Sequence, residues 1–369
     1  MRDTTIIGSA GGMWTDVTRR RGNKFGEKSM SRPYASIRYM LMATCAAAAI
    51  LGGSLPGSGQ TTTAPTAPAT EPPQGVPAAS PAASYWDLLD INNSDVLESK
   101  GTVRNDHSPA QLSWMHSQGT VNFQPTSRDS EDASYSLDYI NLGTTSPLLP
   151  RQLSAESLRL DLGLAKIGKW NVGFSIGAGY AGSTPFNDAH AVYGIASLFT
   201  YTRLNQHDTL AFYLGYNGNS QFMPDVPLPG FAFQHRGKTF SYTIGLPETS
   251  LNWTFLPRTT LSLKYEVPFD GRAELAYQII KPISLFTDFE TRTGAFRVDA
   301  CPTSDRLFIS YDSVAAGVEF SLLRHLKGNI SGGYVFNQEF AQGFDARDAR
   351  SFASITNQPF VSFGMALNF

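Results

Sequence analysis

Charged residues are scarce in this chain. Of its 369 residues only 16% are Asp, Glu, Lys or Arg, and the formal net charge is -2; an average soluble domain carries about 25% charged residues. Such a balance argues against a nucleic-acid partner, which would need a basic surface to displace counterions from phosphates. Cysteine is scarcer still. Cys45 falls in a stretch expected to be removed, leaving Cys301 in the turn-rich segment Asp299–Asp305. One thiol can neither close an internal disulfide nor fill a zinc site, so Cys301 reads as an incidental loop thiol. Long apolar runs are missing too, apart from Tyr39–Leu51. Plentiful instead are Gly (33), Phe (24) and Tyr (15), a composition that suits short strands in a secreted β-protein or a membrane barrel.

The apolar run reads as an export signal. Arg32 and Arg38 precede it and small residues from Gly52 to Gly59 follow, the order of a secretory signal peptide. A membrane-spanning helix would need about 20 apolar residues. Met30 would begin a signal of ordinary length, so residues 1–59 are expected to be an upstream extension plus signal peptide, cleaved near residue 60. A lipoprotein signal around Cys45 fits less well, because Thr44 precedes the cysteine and the apolar run continues past it. Residues 60–84 are almost entirely Thr, Ala, Pro, Ser, Gly and Gln; without apolar periodicity they are expected to be a disordered linker. Residues 85–133 are expected to form an N-terminal segment, either a plug or an extra strand. Within it, Tyr85–Ile91 has the amphipathic pattern of a helical turn.

From about Ser134 the period becomes two. Leu158, Leu160, Leu162 and Leu164 alternate with Arg159, Asp161 and Gly163; Val172, Phe174, Ile176 and Ala178 alternate with Gly and Ser. The same alternation runs through Leu210–Tyr216, Phe240–Leu246, Leu261–Val267, Ala273–Ile279, Ile283–Phe289, Val314–Leu322, Ile330–Phe336 and Val361–Phe369. Segments of about ten residues match a tilted transmembrane strand, apolar toward lipid and small or polar toward the lumen. Short connections (205–207, 280–282, 324–328) largely alternate with long ones (182–190, 219–237, 294–306, 341–356). These features predict an all-β fold: an antiparallel transmembrane β-barrel over 134–369 with about twelve strands, within a range of 10–14. Trp170, Tyr180, Trp253, Tyr265 and Tyr334 sit where aromatic girdles are expected. A soluble β-sandwich or β-helix would alternate as well, but would put Lys and Glu where this chain has Gly and Ser.

The final strand, Val361-Ser-Phe-Gly-Met-Ala-Leu-Asn-Phe369, has apolar residues at every second position. It resembles the targeting strand of Gram-negative outer-membrane β-barrel proteins, in which Phe363, Met365, Leu367 and Phe369 would be the assembly signal. The resemblance implies outer-membrane lipids and the barrel-assembly machinery as partners, and the outer membrane as location.

If the apolar rows face lipid, Lys264, Glu266, Arg272, Glu274, Asp288, Glu290 and Arg292 form a charge ladder on the lumen wall. A turn centred on Phe269 would set Lys264 opposite Glu274 and Glu266 opposite Arg272. A turn at 280–282 would set Asp288 opposite Glu274 and Glu290 opposite Arg272. Facing opposite charges stabilise a sheet by roughly 0.2–1 kcal/mol each, whereas Lys or Arg facing lipid at mid-depth costs about 2–4 kcal/mol. The first half of the barrel is expected to have a lumen of small residues with room for water.

No catalytic constellation stands out. His107, His116, His190, His207, His235 and His325 match no hydrolase pattern, and no metal spacing or phosphate-cradling loop is present; no enzyme, metal or cofactor is called for. The leading expectation is channel-like passage of small polar or amphipathic solutes. Its rival is a structural or interaction barrel with a filled lumen and a periplasmic tether; a barrel hydrolase comes third.

Overall fold

The structure is a computed structural model and describes residues 89–122, 132–298, 301 and 304–368. The stretches expected to be a signal peptide (within 1–59) and a linker (60–84), and Phe369, lie outside the described residues. Sixteen antiparallel strands form one closed ring. In chain order β1 is Leu89–Glu98, β2 Ser113–Asn122, β3 Asp132–Asn141 and β4 Gln152–Ile167. Then come β5 Trp170–Gly182, β6 Val192–Arg203, β7 Asp208–Asn217 and β8 Leu228–Arg236. The third quarter is β9 Phe240–Leu246, β10 Glu248–Leu256, β11 Thr259–Glu266 and β12 Asp270–Ile280. The last is β13 Ile283–Phe296, β14 Arg306–Leu323, β15 Leu326–Gly343 and β16 Gln358–Asn368. Each strand pairs with the next, and β1 pairs with both β2 and β16 (Asp90 opposite Asn368), so no edge is left open. Closure satisfies every strand backbone in a solvent that offers no hydrogen bonds.

The count is sixteen, not about twelve, and each missed strand has a local cause. β1 and β2 carry polar residues on both faces, as in Ile91-Asn-Asn-Ser-Asp95, so their alternation is faint. They belong to the wall, and Leu89–Ile91 is the start of β1 rather than a helical turn. β8 was hidden inside the polar stretch 219–237 by Pro229 and Gly230. β9 and β10 read as one strand because only Pro247 separates them.

Described connections at one end of the barrel, following β4, β6, β8, β10, β12 and β14, are two to four residues long. β1 starts and β16 finishes at that same turn end. The opposite, loop end carries long connections after β1, β3, β5, β7, β13 and β15, but only Pro247 and 267–269 on the side of β9–β12. The wall is therefore low there, while β14 and β15 run for 18 residues each.

Outward rows are apolar and solvent-exposed: Leu158, Ile176, Leu198, Leu214, Ile244, Val314, Ile330, Phe363 and Met365 all present their side chains. An apolar band over most of the circumference of a closed barrel has no place in water and fits hydrocarbon. Near the turn end it is edged by aromatic rings in tilted and edge-on contact, with Trp170 6.0 Å from Phe212, Phe240 6.4 Å from Trp253, and Trp253 5.4 Å from Phe255, an interfacial girdle. Tyr180 is not part of a girdle: it is buried and donates its hydroxyl to Thr184 O in the following loop. The belt makes a test. Leu198→Arg on the outward row should destabilise the folded barrel in lipid by about 2–4 kcal/mol, whereas Ser262→Arg on the inward row beside Glu274 should leave it unchanged. Equal losses in denaturant titrations from vesicles would mean that the faces are wrongly assigned.

Candidate functional site: the lumen wall

Inward rows enclose a cavity of about 2540 Å³ that runs between the two ends. At the turn end it is lined by Lys238, Arg258 and Lys281; at the loop end by Asn219, Gln221, Pro247, Glu248 and Asp270. Barrels of 16–18 strands are wide enough to hold water.

All seven residues of the charge ladder line this cavity. On β12 and β13, Arg272 lies opposite Glu290 and Glu274 opposite Asp288. Arg272 Nη2 donates to Glu274 Oε2 at 2.9 Å and lies 3.5 Å from Asp288 Oδ2, so one guanidinium offsets the like-charged pair. The β11–β12 register differs from the expected one by two residues. The turn is centred on Pro268 rather than Phe269, which sets Lys264 opposite Arg272, Glu266 opposite Asp270 and Ser262 opposite Glu274. Lys264 Nζ instead lies 3.1 Å from Glu248 Oε2 on β10. Glu248, Glu266 and Asp270 thus face one another across three neighbouring strands. Like charges directly opposite destabilise a sheet, a cost that water in the lumen would screen.

Arg292 has a different setting. Its Nη2 donates to Asp138 Oδ1 on β3 at 2.9 Å, and its guanidinium lies 4.6 Å from the Trp114 ring centroid. Five strands of the ring lie between β3 and β13, so this contact crosses the lumen. Trp114 Nε1 donates to the same carboxylate at 3.0 Å, and His116 Nδ1 lies 2.8 Å from it. Trp114 also packs edge-on against Tyr311 at 5.2 Å. The sequence reading missed Asp138, although it had a usable signal: a carboxylate on the inward row Ser134, Ser136, Asp138.

The small-residue lumen of the first half is a correction too. Tyr193, Phe199 and Tyr213 point inward over Gly179, Gly173 and Gly230, where a Cβ would meet the rings at 2.3, 2.4 and 2.1 Å. Glycine on one strand makes room for the ring on its neighbour, so this space is filled. Two other histidines are placed plainly. His235 Nδ1 lies 2.7 Å from Asp208 at the turn-end rim, and His190 sits in the loop after β5. Among the described residues no group of three or more His, Cys, Asp or Glu side chains has the arrangement of a metal site.

A closed antiparallel ring, an apolar belt edged by aromatics and a polar, charged interior define a porin-like β-barrel of the outer-membrane type. Solved structures of similar shape include the toluene transporter TodX of Pseudomonas putida (9% identity, TM-score 0.34, covering 77% of this chain and 90% of that one). An outer membrane channel from Pseudomonas putida F1 (9%, 0.33, 80% and 99%) and the NanC porin (7%, 0.26, 76% and 100%) are others. No family model and no curated protein matches the chain. The class follows from this chain's own belt and lumen, since likenesses this distant specify little beyond a barrel.

Proposed function

We propose that this chain is an outer-membrane channel, exported by its N-terminal signal, through which small polar or amphipathic solutes pass passively, with cations preferred. The carrying observation is the cavity that joins the turn end, taken as periplasmic, to the loop end. Its lining holds nine Asp and Glu side chains against six Lys and Arg. Three of those bases, Lys238, Arg258 and Lys281, sit at the turn end, leaving the middle and the loop end strongly acidic. Wall charges of one sign favour passage of the opposite sign. The filled-barrel alternative draws support from the packed core beneath the loops, described below.

Arg272→Ala tests the reading. The Arg272 side chain is 51% exposed to the lumen, and exposed ion pairs contribute about 0–1 kcal/mol. The purified, refolded barrel should conduct in planar bilayers. The variant should unfold at nearly the same denaturant concentration while its reversal potential moves toward cations. A wild-type barrel without conductance would favour the filled, structural alternative.

A further inference from the structure

The loop end of the barrel is not open across its full width. At the tip of β13 the wall turns inward: Arg297 N–H donates to Ala181 O at the end of β5 (2.9 Å), and Gly182 and Arg297 form a parallel bridge. β5 and β13 lie eight strands apart in a ring of sixteen, so this backbone contact joins opposite walls. One side chain fastens the join. Arg297 Nη1 donates to His190 O (2.8 Å) in the loop after β5, and Nη2 donates to Gly218 O (3.4 Å) in the loop after β7. The β7 loop is held to the brace as well, with Asn219 Nδ2 donating to Ala295 O (2.9 Å) and Arg306 Nη1 to Ser220 O (2.8 Å). Deeper in the lumen, the Arg292–Asp138 pair spans the same two halves.

The two sides of this brace are filled differently. Between β13 and β5, by way of β16 and β1, lies an apolar core that includes Leu112, Ile140, Leu153, Phe296, Ile309 and Phe340, each no more than 2% exposed. Apolar packing of that kind excludes water, and the polar side chains buried on the same side are tied to each other, with Gln338 Nε2 donating to both oxygens of Glu98 at 2.7 and 2.8 Å. Toward β8–β12 the wall is low and the cavity reaches the loop end beside Ala232, Pro247, Glu248, Glu266 and Asp270. No described residue of β5 or β6 lines the cavity. We infer that the barrel divides its own mouth, so that solutes pass only through an off-centre opening beside β8–β12, bordered by carboxylates. The size limit is then set by part of a sixteen-strand ring and not by the whole. This rests on the channel reading for its use, but the geometry can be tested separately.

In a Cys301→Ser background, Ser262→Cys places a thiol on the open side of the cavity, and Leu153→Cys places one near the loop end of the closed side. A membrane-impermeant methanethiosulfonate is applied to the folded barrel in vesicles, with gel mobility before and after heating as the folding control. The expected result is rapid labelling at Ser262→Cys, with a fall in any current, and no labelling at Leu153→Cys until the barrel is unfolded. Labelling of Leu153→Cys as fast as Ser262→Cys, or a failure to label Ser262→Cys, would overturn the divided mouth. An unmodified barrel that carries no current but keeps the expected labelling pattern would count against the channel reading alone.

Discussion

Phe369→Ser is expected to leave much of the protein unassembled in the cell envelope, while Phe360→Ser yields nearly normal amounts of folded barrel. The two phenylalanines are nine residues apart, and alternation puts them on different rows. Val361, Phe363 and Met365 on β16 point outward and are about half exposed. By the sequence pattern Phe369 continues that row, the one that resembles an assembly-targeting strand. Phe360 points inward, lines the cavity and lies over Gly333 on β15. Truncating it removes one half-buried ring contact from the cavity wall, a loss much smaller than the 3–5 kcal/mol of a buried phenylalanine. If recognition reads the outward row, only the Phe369 change removes a recognised side chain. Heat-modifiable mobility of envelope fractions measures the folded share. Equal folded shares for the two variants would sink the assignment of Val361–Phe369 as a signal.

The alternation was legible in most of the strands whose outward row is apolar. Leu158–Leu164, Val172–Tyr180 and Leu210–Tyr216 declared their outward faces because hydrocarbon tolerates few polar side chains there. It was illegible where the belt is thin. In β1 and β2 water-facing, lipid-facing and loop-covered positions follow one another too quickly to leave a period. Near the loop end the rule even reverses, since Phe296, Leu307 and Ile309 face inward to build the packed core. Periodicity reports which face is apolar, not whether lipid or a folded loop covers it.

The ladder was half legible for a related reason. That Lys, Arg, Glu and Asp on β11–β13 share one face follows from a period of two. Which of them meet depends on the turn, and a shift of its centre by one residue moves every cross-strand partner by two. Contacts across the lumen are further from reach. Nothing in the spacing of Asp138 and Arg292, 154 positions apart, says that opposite walls approach.

That crossing gives the ladder two kinds of arginine, and the second kind should matter to stability. Asp138→Ala is expected to cost about 2–3 kcal/mol, somewhat below the 3–5 kcal/mol of a fully buried pair that loses one partner. The carboxylate side chain is only 17% exposed and that of Arg292 27%, against 51% for Arg272. Removing Asp138 leaves the Arg292 guanidinium and the Trp114 indole N–H without their shared acceptor and takes from His116 its nearest carboxylate, in a part of the lumen backed by the apolar core. Arg292→Met should be milder, because Asp138 keeps Trp114 and His116 and the methionine still covers the indole face. In the double variant Asp138→Ala/Arg292→Met the loss should fall below that of Asp138→Ala alone, since the stranded cation is gone. Urea unfolding of the four proteins in detergent or lipid gives the cycle directly. A coupling near zero would mean that the contact spans open water and braces nothing.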